Sequence, residues 1–195
     1  KRLITLDERW EKALQRGEKV EGYSTADRDL HRRLLNFETT ETAWSPAQRL
    51  GRALLAQWQG ARESNPSRQA HFFDRAERLL SLPDDQISEG FLTAFIEARG
   101  FLLLAQGKAK QAVEYFREQI DRFGRAAWTG IQLGYAEARL QTGHEISSAE
   151  WRALGATGPE GAVTSLVARV LGWLNREDDK ELRSVLAELY PTAAA

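Results

Sequence analysis

The chain has 195 residues, 42% hydrophobic and 28% charged, with 27 basic against 28 acidic residues and a formal net charge of −1. These proportions suit one globular domain over 1–195 with a real core. The charges are scattered without a basic block, so nucleic acid finds no electrostatic footprint. Cysteine is absent, which excludes disulfides, thiolate chemistry and Cys-ligated metals.

Leu6, Trp10, Ala13 and Leu14 mark a first helix, closed by Gly17. After the polar loop Glu18 to Ser24, helical spacing resumes through Leu30, Leu34 and Phe37. The Thr-rich stretch Glu38 to Thr42 reads as a linker, dividing N-terminal helices over 1–42 from the region 43–195. Ser45-Pro46 is a start signal, an N-cap hydroxyl followed by Pro at the first helical position. Its helix carries Leu50, Leu54 and Trp58 and stops near Gly60. Asn65-Pro66 repeats the signal for a helix through Phe73, Ala76 and Leu80 that ends before Pro83.

Ser88 and Glu89 open a long helix containing Gly100 and the apolar run Phe101 to Leu104. A polar break follows at Gln106-Gly107-Lys108. In the next helix Ala112, Phe116 and Ile120 recur every fourth residue along one stripe. The small residues Gly100 and Ala112 let these two helices approach closely and place Phe116 against the first. Ala126 to Thr142 is helical through Trp128, Ile131, Leu133 and Tyr135, and Ser148 to Leu154 reads as a capped helix of two turns. Gly155 to Gly158 is a loop, and Pro159 starts a helix whose stripe is Val163, Leu166, Val167, Val170, Leu171 and Leu174. Asp178 begins the last helix, with Leu182, Val185, Leu186 and Leu189; Pro191 ends it, and Thr192 to Ala195 is expected to fray. No strand-like alternation occurs. The expectation is an all-α fold of about ten helices in antiparallel pairs.

The stretch Thr93 to Ala126 resembles the tetratricopeptide repeat (TPR). That pattern is Trp-x-x-Leu-Gly-x-x-Tyr in a first helix and Ala-x-x-x-Phe in a second, on a period of about 34 residues. Gly100, Ala112 and Phe116 fall at its small, small and aromatic positions, and Gly107 at the glycine that closes the first helix. Ile96, Arg99 and Leu103 stand where Trp, Leu and Tyr are commonest, and the closing Pro is absent. Leu133-Gly134 lies one period after Arg99-Gly100, but Gly143 comes late and Ile146 to Leu154 has no Ala-x-x-x-Phe. Leu50-Gly51 with Phe73-x-x-Ala76 resembles a distorted unit. The resemblance implies antiparallel hairpins stacked as a TPR-like α-solenoid.

In this family the concave face is lined mainly by the first helix of each repeat. Carried over, those positions are Ala94, Glu97, Phe101, Leu104 and Ala105, then Trp128, Ile131, Tyr135, Ala138 and Arg139. The candidate partner-binding residues are therefore Glu97, Phe101, Leu104, Trp128, Ile131, Tyr135 and Arg139. The aromatics among them either carry binding energy at this surface or fill the core between hairpins. The family's basic clamp for a peptide carboxylate lacks its Lys and Asn here, so capture of a chaperone C-terminus is not implied.

Chemistry is sparse elsewhere. His31, His71 and His144 form no His-Glu-x-x-His arrangement and share no metal-binding helix face. His71 with Asp74 reads as a surface pair, and His144 suits a helix C-terminus. Asp84-Asp85 and Asp178-Asp179 sit at helix starts, where capping and the helix dipole account for them. Gly155-Ala156-Thr157-Gly158 lacks the preceding strand and the Gly-Lys-Ser/Thr ending of a phosphate loop. No catalytic residue, metal or cofactor is expected.

The chain thus reads as a non-catalytic protein–protein interaction module, a scaffold or adaptor that holds a protein or peptide segment, with self-association left open. Two alternatives stand beside it. One is a helical accessory or regulatory domain of a larger enzyme or membrane-anchored protein; the other is a small-molecule sensor built from the loops near Gly155 and the aromatics. No apolar run reaches the roughly 20 residues of a membrane helix. The missing Met at position 1 suggests a processed or truncated chain, with cytoplasm and periplasm both open.

Overall fold

The computed structural model describes residues 44–123, 129–155 and 160–194. The helices expected within 1–42, Trp128 and the Pro159 start lie outside them. Among the described residues the fold is all-helical, without strands. Its α-helices are α1 (Pro46–Arg62), α2 (Pro66–Leu80), α3 (Glu89–Ala105), α4 (Ala109–Phe123), α5 (Thr129–Gln141), α6 (Ser148–Ala153), α7 (Glu160–Arg176), α8 (Lys180–Leu189) and the single turn α9 (Pro191–Ala194).

The helix ends follow from local chemistry. The Ser45 hydroxyl accepts from the Gln48 N–H while the Gln48 side chain accepts from the Ser45 N–H, a reciprocal capping box that opens α1. Asn65 Oδ1 accepts from the N–H groups of Ser67 and Arg68 at the start of α2. Gly107 closes α3 at φ 73°, with the Lys108 N–H on the Leu103 carbonyl and the Gly107 N–H on the Leu104 carbonyl. This paired arrangement satisfies carbonyls that the helix end leaves open. Gly143 repeats the motif at the end of α5.

Three details differ from the sequence reading. Asp84 and Asp85 lie in a short 3-10 turn, Asp84–Gln86. There Asp84 is gripped by Arg99 and Arg122, each at 2.7 Å, so ion pairing adds to any dipole role. Asp179, not Asp178, caps α8, by accepting from the Leu182 N–H; Asp178 sits in the left-handed region at φ 58°. Within the tail expected to fray, Thr192 to Ala194 continue from Pro191 as the helical turn α9, because Pro191 suits a first helical position as well as it ends a preceding helix; Ala195 lies outside the described residues.

Packing begins with the hairpins. α2 lies on α1 and α4 on α3, while α5 packs against both α4 and α3, and α1 also lies beside α3. The Phe116 ring, fully buried, occupies the space over Gly100 of α3 and Gly134 of α5. A Cβ at either glycine would collide with that ring, so both glycines are needed for the close approach. Gln57 of α1 is buried and donates to the Ala98 carbonyl of α3 at 2.9 Å.

α7 departs from a simple series of hairpins. It runs across α1, α3 and α5 on the side away from α2 and α4, with α8 and α9 packed beside it. Its apolar stripe is wide enough for this: Leu166, Val167, Val170, Leu171 and Leu174 are all buried. Leu174, with Leu182 and Leu186 of α8, fills the notch over Gly51 of α1. Polar contacts secure the same seam: Ser45 Oγ donates to Glu177 at 2.5 Å, Gln48 Nε2 donates to Asp179 at 3.0 Å, and Arg52 lies 3.7 Å from Asp179. At the start of α3, Phe91 meets Trp173 with ring centroids 4.6 Å apart.

Candidate functional site

One hollow of about 310 Å³ lies between the end of α4, the outer face of α5 and α6. Its lining is largely apolar, with Ile120 from α4, Tyr135 and Ala136 from α5, and Ile146 and Leu154 flanking α6, and Gln132 of α5 adds a polar amide. The local sequence dictates this shape. Gly143 turns the chain at the end of α5, and Ser147 with Glu150 restarts it through a second capping box. The buried Trp151 then pins α6 to the core, which leaves Ile146 and Leu154 bordering the gap.

Two charged side chains border the hollow, and they are differently committed. Glu150 accepts from both the backbone N–H and the hydroxyl of Ser147, each at 2.8 Å, and these bonds hold its carboxyl below the usual range. Arg139 stands over the Tyr135 ring at 5.9 Å from its centroid, a cation–π contact. Its charge also acts on the Glu150 carboxyl across the rim, adding to the lowering by the Ser147 bonds.

The other residues inferred from the repeat pattern are placed differently. Glu97, Phe101, Leu104 and Ile131 are buried, and Trp128 lies outside the described residues. Phe101 meets Phe116 edge-on at 6.0 Å between ring centroids. Glu97 is 0% exposed and sits beneath α7, where it pairs with Arg169, itself 35% exposed. The absence of a side chain at Gly130 makes the room, since a Cβ there would collide with the Glu97 carboxylate. Burial pushes the Glu97 carboxyl up to about 7, outweighing the opposing attraction of Arg169. Glu97 Oε1 and Arg169 Nε are both buried without a hydrogen-bond partner. Of the seven candidates, then, Tyr135 and Arg139 meet at one surface. They lie a single turn apart on α5, which is why their spacing was visible in the sequence.

A second hollow, of about 400 Å³, lies between α2, α3 and α4, bordered by Glu77, Arg99, Lys108 and Tyr115. Its central group is already engaged. Arg99 donates to the carbonyl oxygens of Leu80 at 2.9 Å and Leu82 at 2.5 Å, and to Asp84. The guanidinium so closes the C-terminal end of α2 and ties it to α3. Its hydrogen bond to Asp84, with that of Arg122, holds the Asp84 carboxyl below its usual range. Burial pushes the Tyr115 phenol up to about 12. The sequence signal for this staple was Arg99 itself, standing where the repeat pattern carries Leu.

Among the described residues no group of three or more His, Asp or Glu could hold a metal ion, and no helix is long and apolar enough to cross a membrane. Comparison with known proteins returned no match among family models, curated proteins or solved structures.

Proposed function

We propose that the chain is a non-catalytic interaction module, a short TPR-like stack of hairpins closed by α7 to α9, that docks a segment of a partner protein in the α4–α5–α6 hollow. The observation that carries this reading is the juxtaposition of Tyr135 and Arg139 over an apolar floor. Aromatic and arginine side chains dominate binding energy at protein interfaces when they border a desolvated pocket. The surface is preformed, because α6 is fixed by its capping box and by Trp151, which limits the ordering cost of association. The α1–α3–α5 face expected for a partner is covered by α7, which favours the hollow over that face.

The test is site-specific photo-cross-linking. A benzophenone side chain placed at Tyr135 should give a discrete protein adduct that the same group at the distant, exposed His71 does not. Identical patterns at both positions, or no adduct at 135, would refute the reading.

A further inference from the structure

We infer that α7 to α9 form a strap that lifts from the α1–α3–α5 face as one unit, and that ionisation of the Glu97 carboxyl beneath it loosens the strap; this does not depend on what the hollow holds. Joints among the other described helices do not pass through α7 to α9. Phe116 sits over Gly100 and Gly134, Gln57 donates to the Ala98 carbonyl, and Arg99 closes the end of α2. The three helices are consecutive in the chain and pack on one another, so they can leave together. Stability within a fold is divided into such cooperative units. Lifting this one uncovers the face that the repeat pattern assigns to a partner, which makes the strap an autoinhibitory cover.

Beneath α7, Glu97 interrupts an apolar joint. Its side chain is fully buried in room left by Gly130 of α5, and one of its oxygens accepts from Arg169 of α7. The other, Oε1, has no hydrogen-bond partner, and neither has Arg169 Nε. A buried carboxylate left half satisfied is costly, whereas the neutral acid loses much less on burial. Among the described residues Arg169 is the one charge acting on Glu97; α1, α2, α4 and α5 bring none. Burial outweighs that attraction, and the carboxyl stands at about 7 under the closed strap. Once uncovered and hydrated it returns toward its ordinary 4.5. The closed form therefore holds the proton more tightly. Its advantage is complete below about pH 4.5 and is lost as pH rises through about 7, so the opening constant should rise about tenfold between about pH 6 and pH 8.

The experiment is hydrogen exchange of the full chain between about pH 6 and pH 8, read by mass spectrometry and corrected for the intrinsic exchange rate at each pH. Amides of α7 and α8 are expected to open with one shared constant, larger than that of α1 and α3, and that constant should rise about tenfold across this range. In Glu97→Gln the rise should vanish while α7 and α8 still open ahead of α1 and α3. In Arg169→Gln the buried carboxylate loses its attraction, so the rise should steepen. If α7 and α8 share their opening constant with α1 and α3 at every pH, there is no strap, and the reading of the hollow is untouched. If they open first but the rise is absent, or persists in Glu97→Gln, Glu97 is not what loosens them and the inference fails. The parent chain alone decides the first point, so a variant that does not fold cannot rescue the inference.

Discussion

Replacing Glu97 with Gln should flatten the pH dependence of stability. In the folded chain the Glu97 carboxyl is raised to about 7, whereas its ordinary value is 4.5. A carboxyl raised by folding binds its proton more tightly in the folded state, so its contribution is most favourable below pH 4.5. That contribution is lost as pH rises through about 7 and is constant beyond. The raised value corresponds to about 3 kcal/mol, most of which falls between about pH 5 and pH 8. Gln keeps the shape of the protonated carboxyl but does not titrate. Arg169 loses its partner in the variant, yet its side chain is 35% exposed and can still be hydrated, so the penalty there is a pH-independent offset. Glu137, also raised to about 7 by burial, slopes in the same direction in both proteins and cancels in the difference. Urea unfolding followed by tryptophan fluorescence at four pH values yields each stability by linear extrapolation. The difference between variant and parent should grow in the variant's favour by about 2–3 kcal/mol from about pH 5 to pH 8. Parallel curves would show that the carboxyl is not desolvated as described.

Other substitutions probe the packing and the helix ends. Gly100→Ala forces a methyl into the Phe116 ring and should cost about 3 kcal/mol or more by thermal or urea unfolding, with Phe116→Leu in the same background recovering part of the loss. Asp178→Gly removes a left-handed non-glycine residue, and the exposed Asp178–Lys180 pair at 3.2 Å that goes with it contributes little. A gain of about 0.5–1 kcal/mol in urea is expected, and a loss would contradict the account. Arg99→Leu matches the repeat pattern better than the native residue but strands the Leu80 and Leu82 carbonyls and releases Asp84. It should destabilise by about 2–3 kcal/mol, and an unchanged midpoint would refute the staple.

How much of this was legible beforehand depended on sequence separation. The α3–α4 contact was readable because Gly100, Ala112 and Phe116 are close in the chain and their spacing specifies which faces meet. The caps at Ser45 and Asn65 were readable for the same reason, since their partners lie two or three residues away. The wide stripe of α7 was visible too, but its partners were not: which helices a buried face covers depends on tertiary geometry. Glu97 was singled out as a surface residue because the pattern placed it on an inner face. Its partner Arg169 stands 72 residues later, and nothing local marks the two as neighbours. Asp84 shows the same limit, with Arg122 arriving from 38 residues away. Tyr135 and Arg139 were legible as a pair, whereas the hollow beneath them depends on where the Gly143 turn and Trp151 set α6.

The passage of α7 over three earlier helices has a consequence for how such a chain can evolve. An open array tolerates gain or loss of a hairpin at its end, because each unit rests only on the next. Here the seam joining Ser45 and Gln48 to Glu177 and Asp179 ties the beginning of the described fold to its close. Duplicating or deleting a single hairpin between them would leave α7 the wrong length to bridge α1, α3 and α5, so among the described helices change is easier through side chains than through helix number.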